Sequence, residues 1–125
     1  MSVHFTSEAV CEGHPDKVCD RIADAILDAT LAVDPDAHVA CEVAATTNKV
    51  QVMGEISAKH TPGYTKVVRE TVKRIGYTEP GCGFSDMECA VVMDLHEQSP
   101  DIAQGVNRKN AREQGAGDQG IVYGY

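Results

Sequence analysis

The chain has no tryptophan, only two phenylalanines and four tyrosines, and no apolar run of the ~18 residues needed to cross a bilayer. It also lacks basic character, because 19 acidic side chains against 11 basic ones leave a formal charge of −8. General nucleic-acid binders need a basic surface to neutralise phosphates, so the charge argues against this class. The first residues contain neither a basic region nor an apolar run, so we expect no signal peptide and a soluble, cytoplasmic protein.

The five cysteines contain no Cys-x-x-Cys pair and leave one cysteine over in any disulfide scheme. A zinc site is therefore poorly supported, and reduced thiols are expected. With 125 residues, of which 42% are hydrophobic, the chain has the size and composition of one globular domain that can bury a core.

Two segments have the 3.6-residue apolar period of helices. Residues 15–33 begin with proline at the first helical position, carry Asp16 in the first turn, and repeat apolar side chains on one face as far as Val33. The second segment is predicted to start at residues 61–62, with Thr61 as the cap, and to end at Gly76. The chain is therefore predicted to contain two amphipathic helices.

Strand-like alternation occurs over residues 38–45, 50–56 and 88–95. The first two strands form a hairpin whose register places Glu42 and Glu55 as diagonal neighbours, roughly 7–8 Å apart, on one face. Alternation alone favours a solvated face, but the other side chains there are weakly polar, which indicates a covered face whose carboxylates need partners. The hairpin, the two helices and the further strand predict an α+β fold.

Residues 98–120 have no periodicity, and loops of this length are usually functional or mobile. Within them, Gly115-x-Gly117-x-x-Gly120 matches the dinucleotide-binding fingerprint. The polar residues before Gly115 do not form a strand pattern, and Asp118 would lie unfavourably beside a pyrophosphate, so a Rossmann domain is disfavoured. The apolar run at residues 121–125 predicts the start of a further strand in a chain that has been truncated.

His14 lies in the segment Glu-Gly-His-Pro-Asp-Lys at residues 12–17. A histidine and a carboxylate at a helix start, behind a glycine, can present an imidazole and a metal ligand to one phosphate chain, while the helix amides attract anions. An ordinary capped helix start, with a solvated histidine, explains the same residues more simply. The segment by itself leaves both interpretations open.

In combination and in order, the motifs resemble the amino-terminal part of methionine adenosyltransferases, also called S-adenosylmethionine synthetases. The similar blocks are residues 5–8 (Phe-Thr-Ser-Glu), 12–17, 39–42 (Val-Ala-Cys-Glu), 54–56 (Gly-Glu-Ile), 75–77 (Ile-Gly-Tyr), 98–106 (Gln-Ser-Pro-Asp-Ile-Ala-Gln-Gly-Val) and 115–120 (Gly-Ala-Gly-Asp-Gln-Gly). The resemblance implies a mixed sheet with a β-hairpin and helices packed on one face, within a larger multi-domain enzyme of repeated α+β units. Residues 1–97 would be its amino-terminal unit, and residues 98–120 the mobile active-site loop and glycine-rich segment.

Enzymes of this kind attack C5′ of ATP with the sulfur of L-methionine, displace the triphosphate, and hydrolyse it to phosphate and diphosphate. The resemblance implies that His14 assists the leaving group and that the ATP contacts include Lys17. It further implies Mg²⁺ and K⁺ as cofactors, and a homodimer or homotetramer with its active site between subunits. The implied metal ligands are Asp16 and Glu8 for magnesium and Glu42 for potassium, and the implied substrate contacts are Ala40, Glu55, Gln98, Ser99 and Asp118.

The chain departs from the family at Cys11, Thr46 and Asn48, where serine, lysine and glycine are common, and none of these is an implied ligand. The family's catalytic lysines and its second phosphate loop lie beyond Tyr125, so we expect the 125 residues alone to be inactive. Two other functions stay open. One is a nucleotide-binding oxidoreductase domain built on residues 115–120, and the other is a non-catalytic paralogue that pairs with a complete enzyme through its hairpin face.

Overall fold

A computed structural model describes residues 3–97, 110–113, 115 and 119–124. Its three strands form one sheet in the order β1-β2-β3, in which β1 is antiparallel to β2 and β2 is parallel to β3. The expected α+β fold with a mixed sheet is therefore confirmed. The elements are α1 (Pro15–Val33), β1 (His38–Thr46), β2 (Lys49–Ser57), α2 (Tyr64–Ile75), β3 (Ala90–His96) and a short 3-10 helix (Ala111–Glu113).

Helix α1 begins and ends at the predicted residues. Proline stands at its start, Asp16 lies in its first turn, and the backbone N–H of Asp34 closes its last turn on the Thr30 carbonyl. Thr30 was not predicted in the core, yet it is fully buried. Its hydroxyl tolerates burial because it donates a hydrogen bond to the Ile26 carbonyl at 2.7 Å. Val33 was predicted on the apolar face but is 45% exposed, because the helix ends there.

The hairpin has the predicted register, with Val43 opposite Val52 and Ala45 opposite Val50. Pairing extends one residue further at the turn, so only Thr47 and Asn48 connect the strands. Asn48 adopts a φ of 53°, a conformation that asparagine tolerates better than other non-glycine residues. The asparagine that replaces the family's glycine therefore preserves the turn, as expected.

The predicted start of α2 is wrong. The helix begins at Tyr64, and its N-cap is Gly63, whose carbonyl accepts hydrogen bonds from the backbone N–H groups of Lys66 and Val67. No side chain caps this end, because Thr61 lies too far upstream to reach the first-turn amides. The predicted end is correct, since Gly76 is the left-handed C-cap with φ 112°.

The predicted start of β3 is also two residues early. The backbone N–H of Glu88 bonds to the Ser85 hydroxyl, and that of Cys89 bonds to the Ser85 carbonyl. These bonds close a turn, so the strand starts at Ala90. The alternation predicted along this strand is confirmed by burial, with Val91 and Met93 half-buried and Val92 and Asp94 exposed.

Both helices pack on one face of the sheet, as expected, and the core lies between the two layers. The side chains of the opposite face, here called the open face, are all exposed or half-buried. In the described part of the chain, no helix is both long and apolar enough to cross a membrane. The core consists of Val18, Ile22, Ile26, Val50, Val52, Ile56, Val68, Val72 and Cys89, and the open face carries Ala40, Glu42, Ala44, Gln51, Met53, Glu55, Val92, Asp94 and His96.

Asp34 fastens the end of α1 to the segment after β2, and this contact should weaken in acid. Its carboxylate accepts the backbone N–H of Lys59 at 2.6 Å and that of Asp36 at 3.2 Å. These hydrogen bonds, the Lys59 bond above all, lower the pKa of the Asp34 carboxyl. The pKa of the Asp34 carboxyl is therefore lower in the folded state than in the unfolded state, where it is about 3.9. The stabilisation from Asp34 is fully present above the unfolded-state value and is lost as the pH falls through the folded-state value.

An NMR titration of the Lys59 amide in the complete protein would measure this pKa. We expect a midpoint below about 3.9 in the wild type. In Asp34→Asn, which keeps the shape but has no carboxylate to titrate, the transition should be absent. A wild-type midpoint at or above about 3.9 would contradict the prediction.

Candidate functional site

His14 is the N-cap of α1. Its backbone is extended (φ −65°, ψ 139°), and its Nδ1 atom accepts a hydrogen bond from the backbone N–H of Asp16 at 3.2 Å. An Nδ1 atom that accepts this bond carries no proton, so the neutral ring holds its proton on Nε2. The side chain is 40% exposed. The ring can therefore cap the helix with one nitrogen and present a donor to a ligand with the other.

Carboxylates surround this helix start. Asp16 Oδ2 lies 4.0 Å from His14 Nδ1, and the Asp16 side chain is 84% exposed. The first two turns of α1 and the end of β1 line an open cavity of about 400 Å³. Its walls include Asp16, Cys19, Asp20 and Ala44. The His14 imidazole and the Asp16 carboxylate thus lie together at the positive end of the helix dipole, and Asp16 and Asp20 both line the cavity. This arrangement suits a phosphate bound together with a cation.

The described residues contain no group of three His, Cys, Asp or Glu side chains that could hold a metal ion. Magnesium, however, is commonly bound by one or two carboxylates together with substrate phosphates. The exposed Asp16 carboxylate fits a ligand of that kind. Glu8 is exposed in a segment without regular structure, and Lys17 is half-buried in the first turn of α1, so their predicted roles stay predictions.

The second group of predicted residues lies on the open face. Glu42 pairs with Met53, and Ala40 pairs with Glu55, so the predicted diagonal arrangement of the two glutamates is confirmed. Glu42 is exposed and Glu55 is half-buried. The two carboxylates share a face whose neighbours are mostly small or apolar, which favours a cation or an ammonium group beside them.

Strand β3 adds two residues to this group that the sequence analysis missed. Asp94 is paired with Met53, and His96 is paired with Glu55. Asp94 Oδ1 and His96 Nε2 are 3.0 Å apart. Alternation had placed Asp94 on one side of its strand, but only the parallel pairing with β2 brings it to the glutamates. The open face therefore carries three carboxylates and one imidazole.

All five cysteines are free, as expected. Burial raises the pKa of the Cys19 thiol, and the same effect raises the pKa values of Cys41 and Cys89. A raised pKa keeps the thiol protonated, and the thiolate is the reactive form. These three cysteines therefore serve packing and are poor candidates for nucleophiles.

Three predicted substrate contacts, Gln98, Ser99 and Asp118, lie outside the described residues. The mobile loop predicted over residues 98–120 falls largely outside them as well. Ala111–Glu113 form a 3-10 helix, so the described residues nearest to Gly115 do not form the strand that a dinucleotide-binding motif requires. Residues 121–124 are exposed and lie in no strand, and the strand expected at residues 121–125 stays a prediction.

Comparison with known proteins identifies the family. Residues 2–100 match the model of the S-adenosylmethionine synthetase N-terminal domain. The S-adenosylmethionine synthase of Solidesulfovibrio magneticus is 54% identical over 121 residues, and that of Oleidesulfovibrio alaskensis is 52% identical over 122. These alignments cover 97% and 98% of this chain, which spans 31% of the length of either relative. The chain therefore belongs to the S-adenosylmethionine synthetase family, and its residues 2–100 correspond to that family's N-terminal domain.

Proposed function

We propose that this chain is the amino-terminal part of an enzyme that forms S-adenosylmethionine from L-methionine and ATP. A lone pair on the methionine sulfur forms the bond to C5′ of ATP, while the C5′–O5′ bond breaks and its electron pair leaves with the triphosphate. Water then hydrolyses the triphosphate to phosphate and diphosphate. The observation that carries the proposal is the 54% identity to a synthase over nearly the whole chain, together with the exposed His14 imidazole at a helix N-terminus.

In this proposal His14 acts on the leaving group. The departing O5′ gains negative charge, and a donor aimed at that charge stabilises the transition state more than the ground state. The Nε2–H of the neutral ring is such a donor, since Nδ1 is held by the Asp16 amide. Lys17, in the same turn, offers a positive charge to the phosphates.

Asp16 is proposed as a magnesium ligand, because its exposed carboxylate lies beside this helix end. Glu8 is proposed as a further ligand of the same ion. Bound magnesium would neutralise phosphate charge and act as a Lewis acid on the phosphoryl oxygens. Glu42 is proposed to bind potassium, because a monovalent cation would relieve the repulsion between the carboxylates of the open face.

Glu55 is proposed to hold the ammonium group of methionine. It lies opposite Ala40 on the open face, where the small side chain leaves room for a substrate. Ala40, Gln98, Ser99 and Asp118 complete the proposed substrate contacts. Closure of residues 98–120 over the site would exclude water that otherwise hydrolyses ATP without product.

The open face is also suited to binding a second copy of this chain. It is a surface on which alanine, methionine and valine side chains surround the carboxylates, and an uncovered face of this kind is suited to an interface. We propose that two copies meet here, as a homodimer or within a homotetramer, with the active site between them. Nucleic acid and membrane are not expected partners, and a cytoplasmic location is part of the proposal.

The central test is an assay of the complete protein with methionine, ATP, magnesium and potassium, with S-adenosylmethionine measured by mass spectrometry. We expect product with magnesium present, loss of product with EDTA, and recovery when magnesium is added back. The isolated 125 residues should give no product. A complete protein with His14 intact that forms no S-adenosylmethionine would refute the proposed function.

Glu55 should affect methionine binding more than turnover. Loss of a charge-assisted hydrogen bond of about 1.5–3 kcal/mol weakens binding about 10- to 100-fold, so Glu55→Gln should raise the KM for methionine by that factor. The KM for ATP should change little. Glu70→Gln is the matched control, because Glu70 lies on α2 in the layer behind the sheet. Equal methionine KM values in the two variants would contradict the role given to Glu55.

A further inference from the structure

Tyr77 links α2 to the segment that carries His14. Its hydroxyl donates a hydrogen bond of 2.5 Å to the carbonyl oxygen of Gly13, a residue 64 positions away in the sequence. The approach is close, since a Cβ atom on Gly13 would lie 3.2 Å from the Tyr77 hydroxyl. A side chain at position 13 would therefore have to displace the phenol by a few tenths of an ångström.

The bond acts directly on the backbone of His14. The Gly13 carbonyl and the His14 N–H belong to one peptide group, whose atoms lie in a plane. The carbonyl accepts from Tyr77, and the N–H donates to the Cys11 carbonyl at 3.0 Å. With both polar atoms held, the orientation of this plane is set. The plane fixes the direction of the N–Cα bond of His14, and the φ of −65° then sets where its Cα–Cβ bond points.

Tyr77 is itself held in place from several sides. Its backbone N–H bonds to the Val72 carbonyl of α2, and its carbonyl accepts the N–H of Asp86. Its ring packs edge-on against Phe84, with ring centroids 5.1 Å apart. Arg69 donates to the carbonyl of Asp86, which fixes the loop that carries Phe84. A rigidly mounted hydroxyl is what a positioning role requires.

We infer that Tyr77 is a positioning residue for His14. It acts through the Gly13–His14 peptide, which orients the imidazole toward the leaving oxygen. This inference rests on the proposed function for its kinetic consequence, but the orientation of His14 can be measured without any reaction. A displacement at carbon is sensitive to such alignment, and a misplacement of about 1 Å can cost about 100-fold in rate.

The test uses Tyr77→Phe in the complete enzyme, a change that removes the hydroxyl and keeps the ring. We expect kcat to fall by about 10-fold or more, with the KM for methionine unchanged. In a His14→Asn background the same change should cost less than about twofold, because residues that act through one another are not additive. Tyr64→Phe is the control. Its hydroxyl contacts Thr30 in the second half of α1, and kcat should be preserved.

A second variant covers the possibility that Tyr77→Phe folds poorly. Gly13→Ala places a methyl group against the hydroxyl, and it should reproduce the loss in kcat without adding to it in the double variant. Full activity in both variants, or equal losses with and without His14, would overturn the inference. If the wild type forms no S-adenosylmethionine, the proposed function fails instead. The His14 ring signals in NMR spectra would still test the inference, which requires them to shift in Tyr77→Phe and to stay unchanged in Tyr64→Phe.

Discussion

Replacing Gly54 with alanine is expected to be the most damaging single change to this fold. Gly54 adopts a φ of +132°, and a Cβ atom built there would lie 2.1 Å from the backbone oxygen of Ala40 on the neighbouring strand. The unfavourable φ alone costs about 1–3 kcal/mol. The overlap with a backbone atom can be relieved only by separating β1 from β2, so we expect a total loss of about 4 kcal/mol or more.

The matched control for this change is Gly76→Ala. Gly76 also has a positive φ, +112°, but no atom lies within 4 Å of the position that a Cβ atom would take. It should therefore cost only about 1 kcal/mol, the usual penalty for a non-glycine C-cap. Thermal or denaturant unfolding of the complete protein would measure both variants. Equal destabilisation by the two substitutions would show that the close approach to Ala40 is not the main cause of the loss in stability.

The second large effect is expected at His14. His14→Ala should lower kcat by about 100- to 10,000-fold, which is the range for removing a side chain that donates a proton or a hydrogen bond to the reacting group in the transition state. The substitution also removes the N-cap of α1, which costs about 1 kcal/mol of stability. His14→Asn separates the two effects, because asparagine is a good N-cap but has no imidazole. We expect His14→Asn to restore stability without restoring kcat.

His60→Ala is the control for a general effect of removing a histidine. His60 follows Lys59, whose N–H bonds to Asp34 at the far end of α1, and a helix of this length separates the two ends by roughly 28 Å. This variant should keep wild-type kcat. An active His14→Asn enzyme would mean that the leaving group departs without help from the imidazole, and the role given to His14 would have to be abandoned.

The local elements could be predicted from sequence because their signals are local. Proline at position 15 and the apolar repeat that follows it set the start and the extent of α1, and Asn48 marked a hairpin turn whose register then followed from alternation. The predicted boundary of α2 was wrong where two nearby residues could each serve as the N-cap. Thr61 is a better capping residue than Gly63 by preference alone, yet the first helical hydrogen bonds go to the Gly63 carbonyl.

The sequence by itself also determined the family, because several motifs in a fixed order are far more specific than any one of them. The segment at residues 12–17 would otherwise be an ordinary helix start, and residues 115–120 would suggest a dinucleotide. The residues proposed for catalysis and binding were found in this way, by resemblance. Their roles stay predictions until the variants described above are measured.

Only the tertiary structure decided which distant residues meet. The parallel pairing of β3 with β2 brings Asp94 and His96 to the two glutamates, the fold of α2 against α1 brings Tyr77 to Gly13, and the close approach of the two hairpin strands explains why position 54 is glycine. No periodic pattern in the sequence predicts these contacts, because each depends on how separate elements pack. Secondary structure follows from neighbours in sequence, whereas the geometry of this site follows from neighbours in space.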